Sequence, residues 1–232
     1  VTETEWLACQ NPIAPVVFVA PTANPRKMRL FLCACCARVL AATPQSRRLF
    51  RGHYAGSFEQ LELALGVVEQ FAEGLVGADA LAQARADARD ALYVPPSIDY
   101  GGETDLWREV AAVVAAAELN PVPETVVVSC LRATNGQSPE ADELRWQAAV
   151  LRCVFGNPFR PVEFDPVWRT DTAQTLARQM YELRDFGAMP ILADALQDAG
   201  CETEDVLNHC RDASHVHVRG CWVLDAVLGR DR

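Results

Sequence analysis

The chain has 232 residues, half of them apolar and 22% charged, with a net charge of −10. That length buries a sizeable core, the composition is ordinary for a globular protein, and the acidic sign disfavours generic nucleic-acid binding. Nine cysteines are present, but Cys33, Cys35 and Cys36 share one apolar helical segment where neighbours cannot readily bridge, and the number is odd, so a disulfide framework is not expected.

Charge is unevenly spread. Between Trp6 and Phe58 there is no acidic residue, while Arg26, Lys27, Arg29, Arg38, Arg47, Arg48 and Arg51 give +7 and residues 59–232 carry −15. The simplest reading packs the basic N-terminal third on the acidic remainder. The functional reading is an anion site or a surface for an acidic protein partner around Arg26–Arg29 and Arg47–Arg51, the partner surface carried by Arg26, Arg29, Arg47 and Arg48 with Phe159 and Arg160. The opening VTETEWLACQ is polar and acidic, and the later apolar run is too short to span a bilayer. The expectation is a cytoplasmic protein with reduced thiols.

In chain order, Thr2-x-x-Glu5 reads as a capping box for a short helix through Cys9. Residues 11–25 are punctuated by proline and read as an extended connector, with Val16–Ala20 the one strand candidate. Asn24-Pro25 supplies a cap and first-turn proline for a helix over Arg26–Ala42. That helix is apolar nearly all round from Leu30 to Cys36 and is expected at the centre of the core. Thr43-Pro44 restarts a helix near residues 46–52. Ser57-x-x-Gln60 is expected to cap a helix through Glu73, with Phe58, Leu61, Leu65, Val68 and Phe71 at helical spacing. Residues 78–93 read as a solvated Ala-rich helix, and 93–103 as the best internal loop. Further helices are predicted over Thr104–Glu118 and Glu124–Arg132, and from Ser138-Pro139 to Phe155, where Gly156 ends the last of them. Residues 157–168 form a loop whose Phe159, Phe164 and Trp168 should pin it to the core. The remaining predicted helices are Asp171–Arg184, Pro190–Ala199 with Gly200 behind it, Glu204–Cys210 and Arg219–Leu228. The fold class is therefore all-α, a bundle of roughly nine or ten helices with at most one short strand at 16–20. It is expected to be one domain in which residues 1–52 and 139–232 pack together around a variable middle, 55–138.

Chemistry concentrates in residues 201–221, which hold three of the four histidines and three of the cysteines. A tetrahedral zinc could draw on Cys201, one of the adjacent pair His209 and Cys210, His217 and Cys221, because zinc favours thiolate and imidazole and could cross-link short elements with little core of their own. His217 and Cys221 are four apart and would share a face of a helix beginning near 217. His209 and Cys210 point in different directions, so at most one ligates. No CxxC or HxxxH pair supports the assignment. The competing structural reading makes Cys221 a core residue, leaves His209 interacting with a helix dipole, and leaves His215 solvated. A third reading pairs Cys210 or Cys221 with a histidine as a thiol nucleophile. Three sulfurs at 33–36 would make a soft-metal site only if all turned one way, whereas successive helical residues diverge by about 100°. No phosphate-binding glycine loop, HExxH or GxSxG is present.

The segments TETEWLAC (2–9), RKMRLFLCACCARVL (26–40), FGNPFRPVEFDPVW (155–168), PILADALQDAGC (190–201) and HVRGCWVLDAVLG (217–229) resemble an uncharacterised family of planctomycete proteins. The resemblance covers about 60 residues, mostly at the two ends, and the middle departs from it. It implies a bacterial cytoplasmic setting and an architecture in which the two ends form one unit. It implies no activity, substrate or cofactor. The leading expectation is a non-enzymatic protein-interaction module, with the zinc protein and the thiol enzyme as alternatives.

Overall fold

A computed structural model describes residues 1–42, 55–91, 140–212 and 214–230. Among them every regular element is helical: ten α-helices and one 3-10 turn. The fold is all-α. No helix among the described residues is long and apolar enough to cross a membrane. The helices expected near 46–52, over Thr104–Glu118 and over Glu124–Arg132, the loop at 93–103, and Arg47 and Arg48 all lie outside the described residues. The chain divides into two compact units, Val1–Ala8 with Ala148–Arg232, and Cys9–Gln147.

The unit Cys9–Gln147 holds α2 (Ile13–Val19), α3 (Pro25–Ala42), α4 (Ala55–Ala72), α5 (Ala78–Ala91) and the first half of α6 (Glu140–Phe155). The strand expected at 16–20 is instead helical through Val19, within α2, with Ala20 as the C-cap. Pro12 and Pro15 fall at its cap and first turn, where no intrahelical N–H is required, and the Asn11 side chain accepts from the Ile13 N–H at 3.0 Å. Burial of Pro15, Val16 and Val19 overrides the β-propensity of the valines. In α3, Asn24 Oδ1 accepts from the Arg26 N–H at 2.8 Å, and Leu30, Phe31, Leu32, Cys33, Cys35 and Cys36 are all buried.

Helix α4 begins at Ala55, so Ser57 sits inside the helix rather than capping it. Its inward stripe is Leu61, Leu65 and Val68, and α3 and α5 both pack on it. Helix α5 is not solvated all round: Leu81, Ala84 and Ala88 are buried. Polar pairs tie this unit together. Arg26 reaches both carboxylate oxygens of Glu73 at 3.0 and 3.3 Å, Arg29 lies over the Phe71 ring, and Arg38 donates to the buried Glu143 at 2.7 Å while covering the Trp146 ring.

The other unit begins with α1 (Glu3–Ala8). Its capping box is reciprocal: the Thr2 N–H donates to Glu5 at 2.7 Å and the Glu5 N–H to Thr2 Oγ1 at 3.3 Å. Trp6 is buried and its indole N–H donates to the Gly156 carbonyl at 2.9 Å, anchoring α1 beside the end of α6. Glu3 accepts from Asn157 at 2.7 Å and also pairs with Arg160. Gly156, at φ +64°, ends α6 as the sequence predicts. The loop after it is pinned by its rings: Phe164 and Trp168 meet edge to face at 5.1 Å and pack on the core, Trp168 being the last residue of the 3-10 turn Pro166–Trp168 that precedes α7.

Four helices complete this unit: α7 (Asp171–Leu183), α8 (Met189–Asp198), α9 (Glu204–Arg211) and α10 (Trp222–Leu228). Thr170 caps α7 by accepting from the Ala173 N–H. Gly200, at φ +90°, closes α8, and the Cys201 N–H returns to the Leu196 carbonyl at 3.0 Å. Helix α7 packs on α8 and α10, and α9 packs on α8 and α10, around Met180, Leu192, Leu196, Val206 and Leu224. The last helix starts at Trp222, not Arg219, because Gly220 adopts φ +84° and turns the chain immediately before Cys221.

Candidate metal centre

Four side chains from separate places in the chain converge in the unit Val1–Ala8 with Ala148–Arg232: Cys153, His209, His217 and Cys221, their ligating atoms all within 4.8 Å of one another. Cys153 comes from the last turn of α6 and His209 from the last turn of α9. His217 lies in the segment before the Gly220 turn, and Cys221 is the residue capping α10. The Cys221 N–H bonds to the Val218 carbonyl at 3.1 Å. This turn, rather than the helical face expected for residues four apart, brings Cys221 within 4.0 Å of His217 Nδ1.

The spacings suit a tetrahedral ion. His209 Nε2 is 3.2 Å from Cys221 Sγ, and His217 Nδ1 is 4.0 Å from both Cys153 Sγ and Cys221 Sγ. A tetrahedral zinc with two sulfur and two nitrogen ligands requires separations of roughly 3.3 to 3.8 Å, so the widest pair in the group, at up to 4.8 Å, would have to close by about 1 to 1.5 Å. Three of the four residues are buried and His217 is half-buried.

The two thiols polarise each other. Burial opposes ionisation of Cys221, but the Cys153 hydrogen bond together with His209 and His217 outweighs it and holds Cys221 well below the ordinary thiol value. Burial first, and then the hydrogen bond and negative charge of Cys221, push Cys153 well above it. The two thiols therefore titrate as a coupled pair, in which ionising one opposes ionising the other.

Of the five residues expected as ligands, His209, His217 and Cys221 belong to the group. Cys201 and Cys210 do not: both are buried in the apolar core around α8 and α9, and burial pushes the Cys210 thiol up. Cys210 follows His209 on α9, about 100° round the helix, so only one of the two can face the site. Cys153, which completes the set, lies 64 residues before His217, and nothing in its local sequence marks it as a ligand. His215 is not simply solvated. Its ring lies 5.2 Å from His209, its Nδ1 is 3.0 Å from Asp212, and burial and then His209 lower its pKa.

The residues considered for a partner surface are engaged internally where they are described. Arg26 and Arg29 meet Glu73 and Phe71, and Arg160 pairs with Glu3. Phe159 is half-buried, and its N–H donates to Asn157. Cys33, Cys35 and Cys36 are buried along α3 and join no metal-type cluster among the described residues. No protein-family model, curated protein or solved structure matches the chain.

Proposed function

We propose that the unit Val1–Ala8 with Ala148–Arg232 is a non-catalytic zinc module in which Cys153, His209, His217 and Cys221 hold one structural ion. The convergence of two sulfurs and two imidazole nitrogens within 4.8 Å carries the reading. Four protein ligands fill a tetrahedral ion and leave no position for substrate. The ion would tie α6, α9, the 214–220 segment and the start of α10 together, and α9 and α10 have only eight and seven residues, short enough to gain from a cross-link.

One observation favours a second reading. Cys221 lies 3.2 Å from His209 with its thiol biased toward thiolate, the pairing of a nucleophilic cysteine. Against it, Cys221 has no exposed surface, and Cys153 adds a second thiol that a nucleophile does not need.

Metal analysis of untagged protein, purified without chelator, separates the two. About one zinc per chain is expected. It should be lost in Cys153→Ser and Cys221→Ser and kept in Cys201→Ser and Cys210→Ser. Cobalt substitution should give the absorption of a tetrahedral centre with two sulfur ligands. Metal-free wild-type protein in which iodoacetamide selectively alkylates Cys221 would replace the zinc reading with the thiol one.

A further inference from the structure

The two sulfurs of the cluster have a chemistry of their own. Cys153 and Cys221 are both free thiols, and their Sγ atoms lie within 4.8 Å of each other. Each is also 4.0 Å from His217 Nδ1. They stand on separate elements, the last turn of α6 and the residue before α10. A disulfide needs its sulfurs at about 2.05 Å. One step of about 120° between staggered χ1 wells carries a cysteine sulfur through roughly 3 Å, so side-chain rotation covers a gap of this size.

Other described thiols are placed differently. Cys33, Cys35 and Cys36 ride a single helix, whose successive residues diverge by about 100°. Cys210 lies in the field of both Cys221 and Cys201, which makes it the rival partner. It is turned about 100° from His209 round α9 and stays outside the group of converging ligand atoms.

Neither Cys153 nor Cys221 has exposed surface. Burial slows exchange with an oxidant in solution, because attack waits for local opening. Access governs only the rate, however. The equilibrium depends on how well the folded chain holds the two sulfurs together. A cysteine ligates zinc as a thiolate, and a sulfur committed to a disulfide no longer carries that charge. Only two imidazoles would then remain of the four ligands.

We infer that Cys153 and Cys221 form a disulfide that excludes the ion, making the cluster a redox-controlled site whose oxidant is a low-molecular-weight disulfide. One cysteine thiolate attacks a sulfur of the oxidant, whose S–S bond breaks and releases one small thiolate. The other cysteine thiolate attacks the mixed disulfide, the Cys153–Cys221 bond forms, and the second small thiolate leaves. The two cysteines give up two electrons and two protons, and the oxidant becomes two thiols. The reduced site ties α6, α9, the 214–220 segment and the start of α10 through the ion, whereas the oxidised site ties only α6 to α10. Exclusion of the ion rests on the zinc reading; the disulfide itself does not.

The test equilibrates the full chain in glutathione redox buffers, once with chelator and once with added zinc. The chain enters both as reduced protein and after oxidative refolding, so that slow access is not mistaken for a weak tendency to pair. Free thiols are then alkylated and disulfides mapped by peptide mass spectrometry. With chelator and excess oxidised glutathione, Cys153–Cys221 should be the predominant disulfide within the chain. Added zinc should raise the ratio of oxidised to reduced glutathione needed to form it by about tenfold or more. Cys210→Ser should leave both results unchanged. Cys153 and Cys221 remaining as thiols or as glutathione adducts under excess oxidant with chelator overturns the inference, as does a disulfide joining Cys210 to Cys201 or Cys221. A Cys153–Cys221 disulfide in a chain that still holds its zinc also overturns it. The same disulfide in a chain that binds no zinc when reduced upholds the pairing and overturns the zinc reading alone.

Discussion

Cysteines gather in two parts of this molecule with opposite results. In α3, Cys33, Cys35 and Cys36 fall within four consecutive residues and are fully buried, yet one helix carries them all and fans them out by about 100° per residue. They fill volume as small apolar groups. In the other unit, Cys153 and Cys221 are 68 positions apart in the sequence, and each arrives on its own element, with two imidazoles beside them. Metal-type side chains meet when separate elements bring them to one point, so density along the chain is a poor guide to where such a group forms.

On the zinc reading, the largest effect that tests this contrast is loss of the proposed ion. Cys221→Ser, or chelation of the wild type, should lower the melting temperature by roughly 10 °C, since metal binding energy becomes folding energy when the site exists only in the folded state. A chelator should then have no further effect on Cys221→Ser. Equal sensitivity of wild type and variant to chelator would place the metal elsewhere.

A smaller effect is expected in α3. Cys35→Ser places a hydroxyl in an apolar environment at a cost of about 2 kcal/mol, read as a lowered denaturation midpoint with zinc content unchanged. Loss of zinc from Cys35→Ser would mean that the α3 thiols serve a metal after all, and the contrast between the two regions would fall.

What the sequence disclosed follows the range of the interactions involved. Helix ends were legible because their causes lie within a few residues: Thr2 with Glu5, Asn24 before Pro25, Gly156, and Gly200. Val16–Ala20 misled because valine favours strands and a first-turn proline looks the same in an extended connector; burial of Pro15, Val16 and Val19 decides for helix. In the site, His209, His217 and Cys221 stood out because they are neighbours in sequence. Cys153 did not, because its position depends on where α6 ends relative to α9, a matter of tertiary packing with no local signature. Gly220 was the missed clue. A glycine directly before Cys221 signals a turn, and that turn sets both the start of α10 and the approach of Cys221 to His217.

The smallest predicted effect isolates that turn. Gly220 and Gly200 both hold positive φ, +84° and +90°, where an alanine is strained by about 1 to 2 kcal/mol. Gly200 has no atom within 4 Å of an added Cβ, so Gly200→Ala measures the backbone cost alone, at the end of a helix that carries no ligand. Gly220→Ala adds to that cost a shift of Cys221 relative to His217. Both variants should therefore lose a few degrees of thermal stability, but only Gly220→Ala should bind zinc more weakly, by about tenfold in a competitive chelator titration. If the two variants hold zinc equally well, the turn does not position the ligand, and residues 217–221 owe their geometry to packing against α9 instead.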